Sequence, residues 1–282
     1  VSVAVYRARS ATELVDGAIQ LFRQNFAAFV TLGAIFYVPI AILNATIFGS
    51  MASSLPVTSG GGNPTLVGGD PTAVFAVYRK FAVFWPVFFA WTGLWYAVIM
   101  TAISEAYLDG RVDIGAAFTR GASRVVPVLV GYFVKGVLVG IGCVFFLVPG
   151  VIIFLVLFAV PSATVLEGVG PIAGFGRSSE LSRGLKGHIF TTYLLIFCLY
   201  IVAYLIILAV AFAVGAASKI ALPLEYAARV AQLVSGLSTA LVAPVLPIVG
   251  VLLYYDARIR KEGFDIELMS RSAPTAVPVP AV

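Results

Sequence analysis

The sequence is short of charge, histidine and cysteine, and each shortage argues against a class of protein. Only 11% of the 282 residues are charged, against about 25% in ordinary soluble domains, while 61% are apolar, against about 45–50%. So little charge does not cover the surface of a water-soluble fold of this size, and lipid is the expected solvent for most of it. The one histidine, His188, has no second His or Cys at ligand spacing, so no metal site is expected. There is no Walker-type phosphate loop. The "GGGNP" near residue 60 lies in a linker rather than between a strand and a helix. With no Ser, His and Asp arrangement either, no catalytic residue is nominated, no cofactor is expected, and the chain reads as something other than an enzyme. The net charge of +5 is modest. A nucleic-acid partner would need a basic soluble face, and no soluble domain is there to carry one. The two cysteines, Cys143 and Cys198, both fall in apolar runs and read as buried or lipid-facing side chains rather than a disulfide.

Long apolar runs are abundant. A spanning helix needs about 20 mostly apolar residues. Five stretches meet or approach this: 26–48, 81–104, 125–147, 189–214 and 230–255. A sixth, 151–166, is shorter and contains Pro161. Only Pro149 and Gly150 separate it from the third, so the two are expected to form a helical hairpin turning at that pair, with a re-entrant pair as the alternative. The fold class that follows is an all-α, polytopic integral membrane bundle of about six spans occupying 10–258. An N-terminal tail (1–9) and a largely disordered C-terminal tail (259–282) flank it. The segment 50–71, rich in Gly, Ser and Pro, reads as a flexible connection. The opening "VSVAVYRARSATELVDG" has no apolar core followed by a small-residue cleavage site, so the first span is expected to direct insertion.

Orientation follows from Lys and Arg in the connections. With both termini on one side, that side carries thirteen of the 18 basic residues, the other carries Arg79, Lys80, Lys219 and Arg229, and Lys135 lies within a span. The split places both ends in the cytoplasm of an inner membrane. The charge burst at Asp256, Arg258, Arg260, Lys261 and Glu262 then reads as a stop after the last span, with Tyr254 and Tyr255 at the interface.

Three basic amphipathic segments precede spans. In "SATELVDGAIQLFRQNF", Ser10 and Glu13 fit a capping box, with Leu14, Val15, Ala18, Leu21 and Phe22 on one face. A second, 109–125, sets Ile114, Ala117 and Phe118 against Arg120 and Arg124. A third, 167–187, sets Ile172, Phe175, Leu181 and Leu185 against Arg177, Arg183 and Lys186. "AAFTR" at 116–120 returns as "AGFGR" at 173–177, a weak internal repeat of 57 residues. These helices are expected to lie in the headgroup plane, where each basic residue near anionic lipid is worth about 1 kcal/mol. Arg120, Arg124, Arg177, Arg183 and Lys186 are the candidate contacts for anionic lipid or for a membrane-protein partner.

Lys135 is the most unusual residue. It sits near mid-span, where a charge costs roughly 2.5–3.5 kcal/mol on insertion scales. No acidic residue lies at matching depth in another span. It either snorkels or marks a cavity, and the cavity version makes the chain a transporter or lipid-handling carrier. On the same helix, Gly136 and Gly140 in "GVLVG" form a small-xxx-small pattern that allows close helix packing.

Three stretches, "ELVDGAIQLFRQNFAAFV", "LVPGVIIFLVLFAVPSATVLEGVGPIAGFGRSSELSRG" and "LLYYDARIRKEGFDIEL", together resemble the bacterial membrane domain named after glycerophosphoryl diester phosphodiesterases. The resemblance covers about 10–269. It implies a six-span architecture that often occurs without an attached enzyme. In fused relatives the phosphodiesterase activity belongs to a separate soluble barrel with paired histidines and metal-binding carboxylates. This sequence has one histidine and no such barrel, so the resemblance carries over the architecture and no catalytic residue.

Overall fold

The computed structural model describes residues 7–54, 57–58, 65–66, 71–217 and 223–266. Its architecture is all-helical apart from a two-residue antiparallel ladder, and six helical segments are long and apolar enough to cross a membrane. The chain is a multi-pass membrane protein by that criterion.

Helix α1 (Ala11–Gln24) starts where the sequence places it, with Ser10 and Glu13 closing both bonds of the capping box. The Ser10 backbone N–H, and then Arg7, hold the Glu13 carboxyl below the usual carboxylate range. Leu14, Ala18 and Leu21 form the buried face. One residue, Asn25, separates α1 from the first span, α2 (Phe26–Ser54). Of the connection 50–71 expected to be flexible, residues 50–54 are instead the end of α2, strands β1 (Val57–Thr58) and β2 (Thr65–Leu66) pair, Pro71 opens the next helix, and the remainder lies outside the described residues. Then come α3 (Pro71–Leu108), the short α4 (Ile114–Ala122) and α5 (Val125–Phe145). The fourth span is α6 (Leu147–Val156), α7 (Val160–Ser162) and a π-helical turn, Ala163–Glu167. Helix α8 (Pro171–Ser182) leads into the fifth span, α9 (Lys186–Ala217), and the sixth is α10 (Leu224–Val242) continued by α11 (Val245–Glu262).

The three amphipathic helices gather at one end of the bundle. Helix α1 packs on α9 and α11, α4 packs on α3, and α8 packs on α5, α7 and α11. The fully buried large side chains Leu14, Ile103, Leu181, Ile189, Leu253 and Tyr254 concentrate there. Toward the other end α9 turns outward, with Phe197, Leu205 and Ile206 exposed as lipid-facing residues would be. The expected C-terminal tail starts later than 259, because α11 runs to Glu262 and buries Phe264 just beyond its end. Residues 267–282, and the disorder expected of them, lie outside the described residues.

Two sequence expectations need correction. The hairpin does not turn at Pro149 and Gly150. The break is at Phe146, whose extended backbone separates α5 from α6, and Pro149 sits in the first turn of α6, where its missing N–H is tolerated. Gly150 is buried against the backbone of Cys143, so the fourth span begins at Leu147 rather than at residue 151. Nor is Gly136–Gly140 the close-packing face: both glycines are exposed, with no described atom within 4 Å of a methyl placed on either. The inward stripe of α5 is Val128, Gly131, Lys135 and Gly142, and a methyl on Gly142 would meet the Gly150 Cα at 2.9 Å.

A closer glycine-mediated contact joins α2 to α10. Pro244 has no N–H for the Ala240 carbonyl, and that carbonyl points at Gly33, where a side chain would overlap it. Gly236 meets Ala41 in the same way, and Arg229 lies across Gly49. The break between α10 and α11 is bridged by Tyr200, whose hydroxyl donates to the Val242 carbonyl at 2.6 Å.

These contacts predict opposite outcomes for two glycines on one helix. Gly142→Leu should destabilise the α5–α6 pair by about 1–3 kcal/mol through overpacking. Gly136→Leu should stay within about 0.5 kcal/mol of the parent chain. Reversible unfolding in mixed micelles measures both, and equal effects would contradict this assignment of faces.

Candidate functional site

Two acidic residues in low-dielectric surroundings organise the basic end. Glu167 closes the fourth span, and the left-handed Gly168 (φ 70°) turns the chain toward α8. The Glu167 carboxylate accepts both of its bonds to Arg177 at 2.9 Å and a short bond from the Tyr254 hydroxyl. Arg177 also reaches Glu262 at 2.8 Å, and Arg258 donates to Glu262 at 3.0 Å one helical turn back. Glu262 first, then Glu167, raise the Arg177 guanidinium above its ordinary range, so it stays charged at any working pH. The Arg258 guanidinium lies 4.0 Å over the Phe264 ring. Charges from α8, α11 and the end of the fourth span thus form one partly buried network.

Asp256 is the second centre. It is 2% exposed, at the start of the charge burst that reads from sequence as a stop after the last span. Its Oδ1 accepts the Arg9 backbone N–H at 2.7 Å, and its Oδ2 accepts from Arg260 Nε at 2.7 Å. His188 Nε2 lies 3.1 Å from Oδ2, and a carboxylate only accepts, so that nitrogen carries the proton. Arg260 returns a bond to the Arg9 carbonyl at 2.6 Å. The segment that leads into α1 is thereby fastened to the end of α11 and the start of α9. This is the use the fold makes of its one histidine.

Helix α8 is bound to the bundle by more than its apolar face. The fourth span breaks at Leu157–Ala159, and buried Ser178 fills the gap, donating to the Val156 carbonyl at 2.7 Å and accepting the Ala159 N–H at 3.0 Å. Gly174 lets α8 approach Thr164.

The five nominated basic residues therefore separate. Arg177 is committed to Glu167 and Glu262, and Arg124 donates to the Gly168 carbonyl at 2.8 Å. Arg120 bonds Glu105 at 3.1 Å while most of its side chain stays in solvent. The side chains of Arg183 and Lys186 are exposed and have no hydrogen bond or ion pair among the described residues. Sequence periodicity put all five on polar faces but could not show which had partners, since those partners lie 10 to 85 residues away.

Lys135 lies within the bundle, 8% exposed, at the eleventh of the 21 residues of α5. Its ammonium is 4.9 Å from the Phe154 ring centroid and 6.0 Å from that of Tyr132. It has no carboxylate partner and no hydrogen bond among the described residues. Tyr132 stacks on Tyr96 at 4.2 Å, and Phe154 meets Tyr193 edge-on at 5.0 Å. Among the described residues no group of His, Cys, Asp or Glu could hold a metal ion.

No family model, curated protein or solved structure matches the chain. The site therefore has to be read from its own geometry.

Glu167→Gln should cost about 1.5–3 kcal/mol, the worth of hydrogen bonds to a charged group. Arg183→Gln should change stability by less than about 0.5 kcal/mol. Thermal unfolding of the purified chain checks both, and a large Arg183 effect would show that its side chain has a structural partner.

Proposed function

We propose that this is a binding protein of a bacterial inner membrane that docks anionic lipid headgroups through its basic end, with that end and both termini in the cytoplasm. The carrying observation is the division of cations there: one set neutralises internal carboxylates and sets the helices in place, and another, with Arg183 and Lys186 at its centre, faces outward. The apolar Ile172, at the opposite end of α8 from Arg183, is 89% exposed, as suits a helix lying at a lipid surface. The excess of Lys and Arg at this end supports the orientation.

Kinship with the phosphodiesterase-named membrane domains is part of the proposal. Its support is that the quoted stretches hold Glu13, Glu167, Gly168, Arg177, Tyr254, Asp256, Arg260 and Glu262, residues that cap helices, turn the chain or tie the basic end together. The role assigned is binding rather than catalysis, because His188 and the acidic residues of this end are used in fixing helices.

Native mass spectrometry of the chain released from nanodiscs containing phosphatidylglycerol and phosphatidylethanolamine tests the docking. Neutralising Arg183 or Lys186 should weaken retention of the anionic lipid by about fivefold each, at about 1 kcal/mol per charge near the surface. The effect should fade with added salt. Unchanged retention would contradict the reading, and a stoichiometric protein found in place of lipid would replace lipid with that partner.

A further inference from the structure

We propose that Lys135 is the recognition point of an intramembrane site for a lipid-soluble monoanion, a single carboxylate or phosphodiester carried on an apolar body. This goes beyond headgroup docking at the basic end and does not depend on it.

The first observation is an unmet need. An ammonium group has three N–H donors. Lys135 is 8% exposed on the inward stripe of α5, and its side chain makes no hydrogen bond or ion pair among the described residues. Among those residues no fully enclosed side-chain nitrogen or oxygen lacks a hydrogen bond, so the Lys135 Nζ keeps a small accessible surface through which a ligand atom can reach it. The Phe154 and Tyr132 rings attract the cation through their faces, but a ring face does not take the place of three acceptors. Snorkelling does not explain the placement either. At 1.5 Å per residue Lys135 stands roughly 15 Å from each end of α5, and its side chain packs inward among rings rather than reaching an interface.

The second observation is what surrounds it. Four helices contribute half-buried aromatic residues to one neighbourhood: Tyr96 from α3, Tyr132 from α5, Phe154 from α6 and Tyr193 from α9. Rings supply contact area for an apolar body, and phenol hydroxyls supply donors for an anion. The ligand's charge follows from counting. Among the described residues Lys135 is the only basic one in the middle of a span, so one negative charge is matched and a second would be left without a partner. On the lipid side of the same turns, Val134, Val137 and Leu138 are exposed and offer a surface for an acyl chain. A buried charge facing the interior of a membrane bundle is the expected mark of such a site.

The test uses the full chain in phosphatidylcholine nanodiscs with three photoreactive diazirine probes of matched chain length: a fatty acid, a phosphatidylglycerol and the neutral fatty alcohol. Cross-linked peptides are mapped by mass spectrometry. One or both anionic probes should label α5 and α6 near Tyr132 and Phe154, the stronger one identifying carboxylate or phosphodiester as the preferred source. The alcohol should label there at least tenfold less. Lys135→Leu and Lys135→Met should each reduce anionic labelling about tenfold, as expected for losing a bond to a charged group. Both should keep the parent's unfolding midpoint or raise it, because each removes an unpaired buried charge. Lys135→Arg should retain part of the labelling. Equal labelling by the alcohol, or anionic labelling unaffected in a folded Leu or Met variant, would overturn the proposal. So would unfolding of both apolar variants, because Lys135 would then be holding the fold rather than awaiting a ligand.

Discussion

A carboxylate taken out of water must be given donors, and the basic end of this chain is arranged around two that have been. Asp256 and Glu167 each collect partners from elements far apart in sequence. In hydrocarbon surroundings helices gain little from burying apolar faces against one another, since lipid is equally apolar. Polar pairing therefore decides which helix ends meet. The Asp256 contacts join Arg9, His188 and Arg260, and the Glu167 contacts join Arg177 and Tyr254. Without them, α1 and α8 would keep their amphipathic character but lose their positions.

The same economy appears wherever the backbone is interrupted. Pro244 leaves the Ala240 carbonyl without its helical donor, and Gly33 makes room for that carbonyl against the neighbouring helix. Tyr200 bonds the carbonyl at the kink, and Ser178 repairs the break in the fourth span from outside. Irregular backbone at membrane depth is tolerated where protein groups satisfy it. Lys135 is the exception. Its ammonium faces aromatic rings and makes no hydrogen bond among the described residues, which is why it points to a ligand while the other polar groups point to structure.

Much of the architecture was legible in the sequence. Length and hydropathy placed the six spans, and the Ser10–Glu13 spacing located the start of α1, because both signals are local. The positions of Lys135 within α5 and of the free Arg183 and Lys186 were legible for the same reason. The hairpin was misplaced by one turn because Pro reads as a breaker, although in the first turn of a helix it is favoured. The "GVLVG" pattern misled because a spacing match does not reveal which face of a helix meets a neighbour, whereas Gly236 and Ala240, which have the same spacing, do face α2. Asp256 reads from sequence as one charge of the stop after the last span, and its role as a fastening point was not legible because its partner Arg9 is 247 residues away.

The Asp256 contacts fasten the N-terminal amphipathic helix to the bundle. Hydrogen exchange of the full chain in nanodiscs, compared with Asp256→Asn, tests it most directly. Amides of α1 should exchange at least tenfold faster in the variant, while those of α4, held separately by Glu105 and Arg120, should keep their rates. Unchanged protection in α1, or an equal loss across both helices, would contradict it.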